Sequence, residues 1–108
     1  MNKNYLDFIP CRNVLWSKSP ENTAIVEIEN KGVLKKITQI IFKKPKTSYI
    51  HLDELGSFIW ENIDGKRTIF EISKAVKNQF NDNAEPLYHR LIKYFEILKS
   101  YNFITWKL

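Results

Sequence analysis

The hydrophobic period changes halfway along this chain, and that change limits the fold more than any other feature. Between Thr23 and Ile28, Ala24, Val26 and Ile28 alternate with Thr23, Ile25 and Glu27, the period-two pattern of a strand. After Asp53 the apolar residues recur at helical spacing. They run Leu55, Phe58, Ile59 and Ile63, then Ile69, Ile72, Val76 and Phe80, then Leu87, Leu91, Phe95 and Leu98. Strands followed by helices, rather than alternating with them, predict an α+β domain.

Local signals set the boundaries. Asp53 is placed to cap a first helix, and Gly65 stands where a C′ glycine belongs. Thr68-Ile69-Phe70-Glu71 is a capping box for a second helix that runs to about Phe80. After the loop residues Asn81-Asp82-Asn83, Pro86 fits the first turn of a third helix running to about Tyr101. Asn102 ends that helix, and Phe103 to Trp106 reads as a closing strand. Upstream, Asn13 to Ser17, Thr23 to Ile28 and Thr47 to His51 read as short strands. Val33 to Lys44 puts Val33, Leu34, Ile37, Ile40 and Ile41 on one helical face, with a hairpin strand as the rival reading because Ile37, Ile40 and Ile41 are β-branched. The order of elements is that of a winged helix-turn-helix-like domain, with 33–44 as an extra amphipathic, helix-patterned segment.

The length of 108 residues fits one domain with one core, spanning 1–108. The single cysteine, Cys11, permits no internal disulfide and suits a reducing, cytoplasmic setting. Cys11 precedes the expected core and reads as incidental. The first seven residues lack the apolar stretch of a signal peptide, and no apolar run is long enough to span a bilayer. The net charge of +5 suits nucleic acid, a membrane surface or an acidic peptide, and equally a solubilising surface.

Little in the chain points to catalysis. His51 and His89 read as solvated or structural, and their spacing with Cys11 matches no zinc pattern. The three glycines form no phosphate loop. Asp53, Glu54, Glu61 and Asp64 surround the first helix, where Asp53 and Glu54 serve its dipole. Gly56, inside that helix, costs about 1 kcal/mol relative to alanine, which points to close packing against another element. The expected protein is not an enzyme and needs no cofactor or metal.

The third helix carries surplus apolar surface. Leu87, Leu91, Tyr94, Phe95 and Leu98 form its core face. Tyr88 and Ile92 widen it on one flank, Ile97 and Tyr101 on the other, to an arc of roughly 220° where a little over 100° suffices. Arg90 and Lys93 border the Ile97 flank. Either the helix is central and covered, or one flank lines a groove for a partner.

Leu52-Asp53, Ile63-Asp64-Gly65, Thr68 with Glu71-Ile72, Phe80, Phe95, Leu98 and Phe103-Ile104 together resemble the PqqD family, peptide-recognition domains of ribosomal peptide modification systems, over Tyr49 to Trp106. The resemblance implies a non-catalytic domain that binds the leader of a precursor peptide by strand addition and presents it to a modifying enzyme, often a radical S-adenosylmethionine (SAM) protein. The implied site is the strand Thr47, Ser48, Tyr49, Ile50 and His51, together with Arg90, Lys93, Tyr94, Ile97 and Tyr101 of the third helix. Lys43, Lys44 and Lys46 would help attract an acidic leader. The segment 33–44 reads as an insertion before that strand, and an open strand edge also permits homodimers. The alternative is a winged-helix DNA-binding protein using Lys74, Lys77, Asn78 and Gln79, which the largely apolar third helix disfavours.

Overall fold

The computed structural model describes residues 4–29 and 47–107. The segment 33–44, with its helix and hairpin readings, and Lys43, Lys44 and Lys46 lie outside the described residues.

Among the described residues, strands of two antiparallel sheets precede and follow three helices, an α+β arrangement as expected. Strand β1 (Pro10–Arg12) pairs with the last strand, β5 (Ile104–Trp106). Strands β2 (Trp16–Lys18), β3 (Ala24–Glu29) and β4 (Thr47–His51) form a three-stranded sheet with β3 in the centre. The helices are α1 (Glu54–Glu61), α2 (Ile69–Phe80) and α3 (Leu87–Ser100). A 3-10 turn, Tyr5–Asp7, opens the described chain, and another, Asn81–Ala84, joins α2 to α3.

The caps act as the residues predict. Asp53 Oδ1 accepts from the Gly56 amide at 2.7 Å. Thr68 and Glu71 complete both halves of the capping box, at 3.1 and 2.8 Å. Helix α1 stops earlier than its apolar spacing suggests, with Asn62 at its C-cap. Gly65 does adopt a positive φ of 76°, but in the turn that follows, where Asp64 Oδ1 accepts from the amides of Lys66 and Arg67. Pro86 sits at the N-cap of α3 rather than in its first turn.

The core joins alternate residues of β3 to one stripe of each helix. Ala24 and Val26 are fully buried with Trp60 of α1, Ile69, Ile72 and Val76 of α2, and Phe95 of α3. Burying each large side chain contributes about 1.5–3 kcal/mol. Ser57 Oγ accepts the Ala24 amide at 2.7 Å, so α1 is fastened directly to β3.

Two N-terminal expectations are corrected. The strand expected at Asn13 to Ser17 begins three residues later, because Asn13 is engaged elsewhere: its amide donates to the Phe103 carbonyl at 2.8 Å and its side chain to that of Asn102 at 2.9 Å. Cys11 does not precede the ordered structure. It lies on β1 opposite Thr105, and its sulfur lies against Gly65. Tyr5 and Phe8 close over Trp106 with ring centroids 5.6 and 5.1 Å away.

Candidate functional site

Strand β4 is the outer strand of its sheet, and its register determines what the edge offers. Leu52 donates to the Ala24 carbonyl, and Val26 faces Ile50. Antiparallel pairing alternates every second residue. The main-chain groups of Ser48, Ile50 and Leu52 therefore turn toward β3, while those of Thr47, Tyr49 and His51 turn outward. Among the described residues no strand lies along that outer edge. The β2–β3 pairing agrees, since Glu27 donates to Leu15 on the opposite side of β3.

Side chains alternate across the sheet in the same register. Ile50, opposite the buried Val26, is on the helix-facing side yet 40% exposed. Tyr49, opposite Glu27, is on the outer face and 59% exposed. Hence Ile50 can face a chain lying beside β4 on the helix side, and Tyr49 one lying against the outer face.

A cleft of about 420 Å³ opens between the end of β4, α1 and α3. His51 and Leu52 form one wall, Arg90, Leu91 and Tyr94 the other, and Gly56 part of the floor. Tyr94 donates its hydroxyl to the Gly56 carbonyl at 2.8 Å. A Cβ on Gly56 would meet Asp53 Oδ1 at 2.9 Å and the Tyr94 ring at 3.4 Å, so the tightest constraint on this glycine is the capping carboxylate of its own helix, with Tyr94 in contact beyond it. Burial, and then the nearby Asp53 carboxylate, hold the Tyr94 phenol well above its ordinary pKa. The Arg90 guanidinium donates to the Asn83 carbonyl at 3.0 Å, which steadies it at the cleft rim.

The implied site residues divide accordingly. His51, Arg90 and Tyr94 meet at the cleft. Lys93, Ile97 and Tyr101 continue along the same flank of α3, exposed, with Ile97 at 48% and Tyr101 at 64%. Among the described residues both flanks of the wide apolar arc carry exposed side chains, Tyr88 on one and Ile97 and Tyr101 on the other. Leu87, Leu91, Phe95 and Leu98 alone are buried. Sequence reasoning missed Leu52, Leu55 and Ala84 as cleft residues. Leu52 and Leu55 flank the Asp53 cap, which was the available signal; Ala84 carried none.

Among the described residues no group of three His, Cys, Asp or Glu is placed to hold a metal ion, and no helix is long and apolar enough to cross a membrane. Among the described residues, this α+β domain leaves the outer edge of β4 without a neighbouring strand and exposes apolar side chains on α3. The family model for coenzyme PQQ synthesis protein D (PqqD) matches residues 38–104, and the chain belongs to the PqqD family. Membership associates it with the biosynthesis of PQQ and other ribosomally made peptide products, among accessory proteins. The match begins upstream of Tyr49 and takes in 38–44, so that part of the presumed insertion belongs to the family's own pattern. No curated protein and no solved structure matched.

Proposed function

We propose that this chain is a non-catalytic, cytoplasmic, winged-helix-like module that binds the leader of a ribosomally made precursor peptide and presents it to a modifying enzyme of the radical SAM type. The observation that carries the reading is the outward-turned main chain of Thr47, Tyr49 and His51, whose His51 end shares a cleft with Arg90 and Tyr94 of α3. The leader adds to β4 as a further strand. Its main chain bonds to the edge regardless of sequence, and its side chains are selected by what they meet. Ile50, Tyr94, Ile97 and Tyr101 supply apolar and aromatic contact, and Arg90 and Lys93 supply charge. A five-residue strand suits the purpose, since a longer bare edge invites aggregation.

Titrating the isotope-labelled chain with the short peptide encoded beside its gene tests this. Amide shifts should concentrate in Tyr49 to His51 and in Arg90 to Tyr101. A spectrum unchanged at saturating peptide, or shifts confined to the far side of the domain, sinks the reading.

A further inference from the structure

The two edges of the three-stranded sheet differ in what guards them. Strand β2 is three residues long and ends in Lys18. Lys18 pairs with the buried Ala24, so it lies on the helix side of the sheet, and its ammonium is 3.4 Å from the Glu61 carboxylate of α1. A very short strand with an inward-turned charge resists pairing with another chain. Strand β4 is longer, and Thr47-Ser48-Tyr49-Ile50-His51 contains no lysine, arginine, carboxylate or proline. Its outward-turned main chain is also symmetric, with Thr47 and His51 equally spaced on either side of Tyr49.

We infer that β4 pairs with β4 of a second copy of this chain, antiparallel, about a two-fold axis at Tyr49. Such an interface presents the same patch from both sides. Tyr49 then faces Tyr49 of the second copy, and Thr47 faces its His51. Each of these pairs exchanges N–H and C=O in both directions, so the outward groups of both edges are satisfied together. The side chains fit the same operation. Tyr49, 59% exposed, meets its own counterpart on the outer face, an aromatic cross-strand pair. Ile50, 40% exposed on the helix side, lies diagonal to Ile50 of the second copy, at the spacing of about 7–8 Å that long side chains bridge. The pairing thus covers both exposed apolar residues of the strand and brings no like charges opposite one another within it. A five-residue strand gives a small interface, and each copy carries a charge of +5. The dimer is therefore weak, and it strengthens as salt screens that repulsion. It uses the edge assigned above to the leader. Where that assignment holds, the dimer is the closed form of the site and the peptide binds the monomer; the pairing itself does not rest on it.

Sedimentation of the whole chain from about 10 μM to about 1 mM should show the average mass rising toward that of a dimer. Tyr49→Lys and Tyr49→Glu each set like charges opposite one another across the axis, and each variant alone should associate roughly tenfold more weakly than the parent. Mixed in equal amounts, the two variants should recover the association, because lysine then faces glutamate, as a pairing centred on Tyr49 requires. Tyr49 is exposed, and thermal melts unchanged from the parent confirm that both variants fold. A parent chain that stays monomeric up to about 1 mM overturns the dimer. So does Tyr49→Lys associating as tightly as the parent, or a mixture no more associated than either variant alone. None of these measurements uses a peptide, so they stand or fall apart from leader binding. Adding the peptide encoded beside the gene should release monomer. A dimer that persists while the amides of Tyr49 to His51 shift with peptide overturns the shared edge.

Discussion

Tyr94 ties the candidate site to the core at a single atom. Replacing it with phenylalanine removes the hydroxyl bonded to the Gly56 carbonyl and should cost about 1 kcal/mol, measured by denaturant unfolding. The pH dependence has a definite sign. The folded protein raises the Tyr94 pKa above 10.0, so its contribution is complete below pH 10 and is lost as pH rises beyond it. Tyr94→Phe should make the alkaline loss of stability shallower. Some loss should persist, because burial and then Glu96 push Tyr5 up to about 12. An alkaline limb of unchanged steepness refutes the assignment. At the acid end, amides of Arg67 and Lys66 hold the Asp64 carboxyl below its ordinary 3.8. That contribution is present above pH 3.8 and lost as pH falls through the lower folded value, and Asp64→Asn should flatten that limb of the stability curve. Gly56 was legible because a glycine inside a helix needs a reason. The Tyr94 bond was not, since a helical wheel gives a direction and not a partner.

At the level of elements, the strand-edge proposal separates two neighbouring backbone amides. The Ile50 N–H turns toward β3, and the Tyr49 N–H turns outward. Ile50→Pro should remove a ladder bond and cost about 1–3 kcal/mol by leaving a partner group unsatisfied. Tyr49→Pro should leave that ladder intact, as proline is tolerated at strand edges, while reducing peptide affinity roughly tenfold. Thermal melts and titration of both variants decide the matter: equal loss of stability, or undiminished peptide binding by Tyr49→Pro, contradicts the assigned register. The helices and caps were legible because short-range chemistry sets them; Asp53 and the Thr68–Glu71 pair act within one turn of chain. The α1 end was less so, because Ile63 keeps the apolar rhythm yet reaches the core from the turn after Asn62. Strand β1 was not legible. Three residues carry no measurable period, and among the described residues its strand partner is β5, far away at the other end of the sequence.

Across the whole molecule, the ends of the described chain meet: the Lys107 amide donates to Ile9, and Ile69 donates to Phe8, so the N-terminal residues bridge β5 and the start of α2. Such long-range closure depends on which elements lie side by side, and no local pattern encodes it. The candidate site was more readable than this closure, because surplus apolar surface on one helix is visible in sequence without knowing its neighbours. Charge acts at the same scale. A molecule of net charge +5, with Arg90 and Lys93 bordering the groove, should draw in an acidic peptide from beyond contact distance. Screening shortens that reach from about 10 Å at about 0.1 M salt to about 3 Å at about 1 M. Stopped-flow association over that range should therefore slow by about tenfold, while dissociation changes less than about twofold, because strand hydrogen bonds and apolar contacts hold the bound state. Reversing Arg90 and Lys93 to glutamate should flatten the salt profile. An association rate indifferent to salt in the parent chain means that the surplus lysines only solubilise it, and that capture relies on the strand edge and apolar flank alone.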